Sequence, residues 1–116
     1  MNTKEIEYIL NCDPNTKKYF DGVYSIDTLK DINVKPSLII CNTDPSFKTG
    51  KHWVLFYFYD NMVDFFDSLG HEPNFYGQEF ITFMEKFAKN CNLCLTRIQP
   101  PKSTLCGHYC ILFAKM

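Results

Sequence analysis

The sequence predicts an α+β domain with a small mixed or antiparallel sheet held between flanking helices. Three observations point there. The 116 residues span about one domain, 1–116, with no room for a second core. Hydrophobic residues make up 46% and aromatics 16%, including 11 Phe and 7 Tyr; this composition suits a packed, sheet-bearing core better than a helix bundle or a disordered chain. Finally, two adjacent β-rich runs lie between stretches of helical periodicity.

The elements follow in order. "NTKEIEYILNC" carries Ile6, Ile9 and Leu10 at helical spacing, with Asn2 or Thr3 as cap. "CDPNTKKYFDG" reads as loop, built on turn residues and Asp13-Pro14. "SLIICN" (37–42) is a short apolar run suited to a strand, and "DPSFKTGK" is polar turn material. "HWVLFYFY" (52–59) and "MVDFFDSLG" (62–70), joined by Asp60-Asn61, read as a hairpin whose two faces are both apolar and therefore both covered. "YGQEFITFMEKFAKN" (76–90) sets Phe80, Phe83, Met84 and Phe87 on one face of a helix. "LCLTRIQ" (93–99) is a further strand, with Cys91 assigned to the preceding helix end. "STLCGHYCILFAKM" is a final helix capped by Ser103 or Thr104.

Charge and leader signals narrow the function classes. A net charge of −1 offers no global electrostatic case for nucleic acid. The N-terminus is charged where a signal peptide needs an apolar run, and no segment is long enough to span a bilayer. The expectation is an intracellular, reducing setting, with no membrane partner and a monomeric chain. The six cysteines, at 12, 41, 91, 94, 106 and 110, are then core residues, metal ligands or a nucleophile rather than a disulfide framework.

The hairpin register brings two chemically useful residues together. A two-residue turn at Asp60-Asn61 sets Val54 opposite Asp67 and His52 opposite Leu69. His52 and Asp67 then share a face as diagonal neighbours, about 7–8 Å apart at the backbone and within side-chain reach. Asp64 has the opposite parity and faces the other side.

A histidine held by a carboxylate is half of a nucleophilic site, because the carboxylate selects the tautomer and stabilises the imidazolium. Cys106 supplies a candidate nucleophile. It sits in the first turn of the last helix, where the helix dipole and a nearby His⁺ lower a thiol pKa. Gly107 removes a side chain beside it, so a substrate backbone can approach. The amide of Cys106 and the side-chain amide of Gln99 form a candidate oxyanion hole. Each residue also has a plainer role open to it. His52 is an ordinary strand-edge residue, Asp67 an ordinary strand-to-turn residue, and Cys106 a buried core thiol.

The blocks "GKHWVLFYF", "VDFFDSLG" and "IQPPKSTLCGHYC" resemble the adenovirus-protease (adenain) and SUMO-protease superfamily of cysteine peptidases. The likeness covers about residues 36–115, and compact proteases of viruses and virus-like transposable elements are most similar. It implies a papain-like core of the adenain/SUMO-protease type. Cys106 is then the nucleophile, His52 the base, Asp67 its orienting acid, and Gln99 with the Cys106 amide the oxyanion hole. Trp53 then lines the cleft, with plain sheet packing as its alternative. The implied substrate is a protein or polyprotein with glycine before the scissile bond; a SUMO- or ubiquitin-type isopeptidase is the variant. A peptide or DNA activator belongs to the resemblance alone, and no other cofactor is expected. Ten residues follow Cys106, fewer than in the family, so a minimal or C-terminally truncated version is expected. The acid is Asp, as in SUMO proteases, rather than the Glu of adenain.

Three rival readings remain. Cys91, Cys94, Cys106 and Cys110, with His108 among them, superficially suit structural zinc. A non-catalytic binding module would grip a glycine-tailed partner without cleaving it. A redox dithiol at Cys91-x-x-Cys94 lacks the strand-then-helix setting such motifs use. Against zinc, Cys110 reads as a core residue of the last helix, and His108 as exposed at its start.

Overall fold

Phe56 sits at the centre of the molecule and explains much of its architecture. Its ring touches Phe65, Phe80 and Phe83 at centroid distances of 5.2–5.5 Å and Phe58 at 6.3 Å. These contacts join two strands to a helix, and each such ring pair adds about 0.5–1.5 kcal/mol beyond the area it buries. The computed structural model describes residues 2–45, 52–94 and 106–115, apart from the side chains of Cys106 and Leu112.

Within the described residues the strands are β1 (Phe20–Ser25), β2 (Ser37–Asn42), β3 (Trp53–Tyr59), β4 (Met62–Phe66) and β5 (Asn90–Cys94). They form a five-stranded mixed sheet in the order β1-β2-β3-β4-β5. The outer pairs β1/β2 and β4/β5 are parallel, whereas β2/β3 and β3/β4 are antiparallel. The helices are α1 (Thr3–Cys12), α2 (Pro14–Lys17), α3 (Gln78–Phe87) and α4 (Cys106–Ala114), with a 3₁₀ turn at Pro73–Phe75.

Alternation along the strands divides the core into two layers. Ile39, Cys41, Val54, Phe56, Phe58, Val63 and Phe65 face α3 and its Phe80, Phe83 and Met84. Leu38, Ile40, Trp53, Leu55 and Phe66 face α1 and α4. The sheet is therefore covered on both faces, as its doubly apolar strands require.

Asn2 caps α1 by accepting from the Glu5 N–H at 2.9 Å, and Asp13 caps α2 by accepting from Asn15 N–H. The β3–β4 turn is Asp60-Asn61, with Asp60 at a left-handed φ of 49° that aspartate tolerates. Leu55 pairs with Phe66 and Tyr57 with Asp64, the register the two-residue turn requires.

Three local expectations are corrected. Within the stretch 12–22 read as loop, Pro14–Lys17 form a short helix and residues 20–22 open the edge strand β1. A register shift between Phe20 and Gly22 breaks the alternation that marks strands in sequence. Cys91 lies inside β5 rather than at a helix end, because α3 stops at Phe87 and the strand begins at Asn90. The remainder of "LCLTRIQ", the Ser103 or Thr104 cap and most of "DPSFKTGK" lie outside the described residues. Among the described residues, no helix is long and apolar enough to cross a membrane.

Candidate active site

Asp67 follows β4 directly and opens the turn Asp67-Ser68-Leu69-Gly70. Gly70 supplies a φ of 78° and donates its N–H to the Asp67 carbonyl at 3.0 Å. This turn folds backbone donors around the Asp67 carboxylate. Oδ1 accepts from Leu69 N–H at 3.0 Å and Oδ2 from His71 N–H at 3.1 Å. The arrangement at Leu69 is an Asx-turn, the local habit of aspartate at strand ends.

His52 precedes β3 directly. Its carbonyl accepts from Thr43 N–H at 2.9 Å, which ties it to the end of β2. Its side chain is 9% exposed, that of Asp67 is 0% exposed, and Nε2 lies 2.6 Å from Asp67 Oδ1. The Tyr76 hydroxyl donates to Asp67 Oδ2, and the Tyr76 ring stacks on the His52 ring with centroids 5.7 Å apart. The pair thus sits at one end of the sheet, on the α3 side, where Tyr76 also packs.

The electrostatics follow from these partners. Burial pushes the Asp67 carboxyl up, but the hydrogen bonds from His52, Tyr76 and Leu69 outweigh it. With the charge on His52, they hold the group below its ordinary value. A carboxylate there takes the proton on Nε2, so a neutral His52 carries its basic lone pair on Nδ1. The pair can therefore accept a proton at Nδ1 and stabilise the resulting imidazolium.

The last helix is directed toward the same end of the sheet. Cys110 Sγ donates to the Trp53 carbonyl at 3.3 Å, and Phe113 stacks on Phe66 with centroids 4.4 Å apart. Further along, Phe113, Ala114 and Lys115 border a cavity of about 360 Å³ with Leu55, Tyr57 and Asp64. So α4 runs alongside β3 in the same direction, and its N-terminal residue lies one turn, about 6 Å, before Cys110 on the His52 side. Asp64 faces this cavity, away from His52, as its parity requires.

The remaining candidates divide. Gly107 is buried in the first turn of α4. Trp53, 8% exposed, packs in the layer beneath α1 and α4 and is sheet core. Gln99 and the Cys106 thiol lie outside the described residues.

The other cysteines have readable settings. Cys12, Cys41, Cys91, Cys94 and Cys110 are free thiols. Cys91 pairs with Val63 and Cys94 with Phe66, so the two take opposite faces of edge strand β5. Burial, followed by the Asp64 carboxylate, pushes both thiols up, which leaves them protonated at neutral pH. Cys110 is fully buried and His108 exposed. Among the described residues, no three His, Cys, Asp or Glu side chains gather as metal ligands do.

Sequence reasoning missed Tyr76 and the two backbone donors. Parity carries only as far as the strands, and all three lie beyond Phe66. The sole available signal was the Asp-x-x-Gly turn itself. Comparison with protein-family models gave no match, and neither did comparison with curated protein sequences.

Proposed function

We propose that this chain is a cysteine peptidase, similar in its core to the adenain and SUMO-protease group. What supports it is the buried His52–Asp67 pair, at 2.6 Å, standing at the end of the sheet toward which α4 directs its N-terminus. A helix start and an oriented histidine are the two features that turn a thiol into a thiolate.

In this mechanism His52 Nδ1 takes the proton of Cys106, and the thiolate attacks the substrate carbonyl carbon. The carbonyl oxygen becomes an oxyanion, held by the Cys106 amide and Gln99. When the intermediate collapses, the C–N bond breaks and the leaving amine takes the proton from His52. A thioester remains on Cys106. His52 then takes a proton from water, whose oxygen attacks the thioester, and the C–S bond breaks to give a carboxylic acid and the free thiol. Asp67 keeps its proton-free state throughout and orients the imidazole.

The substrate is a protein with glycine before the scissile bond. Glycine at that position is the preference that the resemblance to the adenain and SUMO-protease group implies. The test is cleavage of a panel of Gly-X peptides, with isopeptide-linked versions, DNA and candidate activating peptides as separate arms. Cleavage by the native chain and none by Cys106→Ala is expected. Tight binding of glycine-tailed partners without cleavage would favour a binding module instead.

A further inference from the structure

Tyr76 touches both members of the buried pair in different ways. Its hydroxyl donates to Asp67 Oδ2, and its ring lies over the His52 imidazole with planes inclined by 27°. We propose that Tyr76 is a positioning residue for the His52–Asp67 pair, aiming the carboxylate through its hydroxyl and setting the imidazole plane through its ring. The catalytic consequence rests on the peptidase reading, whereas the contacts do not.

An ionised carboxylate offers about four acceptor positions. Here Oδ1 takes His52 Nε2–H and Leu69 N–H, while Oδ2 takes His71 N–H and the Tyr76 hydroxyl. Each oxygen is held by two donors, so the carboxylate has little freedom to rotate about its last bond. Removing the hydroxyl leaves Oδ2 with one donor, and the aim of Oδ1 at His52 loosens with it.

The backbone shows that Tyr76 is itself held. Its N–H donates to the Pro73 carbonyl at 3.1 Å, closing the 3₁₀ turn. The next residue, Gly77, stands before α3 at a φ of 139°, a conformation open to glycine. The ring also meets Phe80 of α3, with centroids 6.1 Å apart. Tyr76 therefore connects the sheet-end pair to the aromatic core.

The test compares Tyr76→Phe, which keeps the ring and loses the hydroxyl, with Tyr76→Leu, which loses both. Two quantities are read: kcat and KM on a Gly-X peptide, and the low-field proton resonance of the His52 Nε2–Asp67 Oδ1 hydrogen bond. The resonance is also recorded in the Cys106→Ala background, where no cleavage is needed. Tyr76→Phe is expected to lower kcat by about tenfold with KM unchanged, as loss of a hydrogen bond to a charged group implies. Tyr76→Leu should lose more, and the low-field resonance should move in both. Wild-type kcat and an unmoved resonance in Tyr76→Phe would overturn the proposal, even if the variant melts at a lower temperature. Should the native chain cleave no peptide, the peptidase reading fails, and the resonance alone then decides: moved supports Tyr76, unmoved overturns it.

Discussion

His52 Nε2 and Asp67 Oδ1 lie 2.6 Å apart at the open end of the β3–β4 hairpin, beyond its last backbone pair, Leu55 with Phe66. There the outer strands take over the two backbones. Thr43, after β2, donates to the His52 carbonyl, and Asp67 N–H points to the Cys94 carbonyl of β5 at 3.5 Å. The hairpin is thus closed at this end by side chains rather than by its ladder. A side-chain pair in that position is oriented by the whole sheet.

Asp67→Asn removes the charge and disturbs the tautomer while leaving the size of the side chain. Cleavage of a Gly-X peptide should fall by roughly 10²–10⁴-fold in kcat, with KM little changed. Steady-state kinetics on the folded variant check this, and a loss below about threefold would count against Asp67 as the orienting acid.

The lowered Asp67 carboxyl also fixes how stability depends on acid. Above the unfolded value of about 3.9, the group is ionised in both states and its stabilisation is present in full. As pH falls below that, the unfolded chain takes the proton first, and the stabilisation disappears on the way down to the folded value. Urea unfolding below about pH 4 should therefore lose stability more steeply in the native chain than in Asp67→Asn. Parallel losses would show that the carboxyl is not held down.

Cys110 is fully buried, with its thiol on the Trp53 carbonyl. Cys110→Ala should cost about 1–2 kcal/mol of stability, from lost packing and one weak hydrogen bond. Peptide cleavage should persist, and a chelator should change neither the melting temperature nor the rate. One tightly bound zinc per chain would reverse the assignment of these thiols.

Phe56→Ala should cost about 3–5 kcal/mol, because four rings lose their shared neighbour. Chemical denaturation measures it, and a cost under about 1 kcal/mol would place the core elsewhere.

Much of this geometry was legible in the sequence where one rule governed it. Asp60-Asn61 set the hairpin register, and parity then separated Asp67 from Asp64 without reference to anything else in the fold. The helical periodicity of residues 2–12 and 76–90 likewise located two helices, and the doubly apolar strands implied a sheet covered on both faces. Legibility ended where local rules compete. Phe20–Ser25 hides an edge strand because its bulge breaks the period of two. Cys91 was misread because α3 ends at Phe87 with no glycine or proline to announce it. Tyr76 escaped because its partner Asp67 is nine residues away across a turn and a 3₁₀ segment, a closeness no periodicity encodes.

The central claim is that His52, held by Asp67, activates the thiol of Cys106, and alkylation tests it most directly. Iodoacetamide labelling of each cysteine is followed against pH in the native chain and in His52→Ala, with exposed Cys12 and Cys91 as internal references. Near neutral pH, Cys106 should label faster than both references in the native chain and lose that advantage in His52→Ala. A Cys106 that labels no faster than Cys12 and Cys91, or at the same rate with and without His52, would contradict the account.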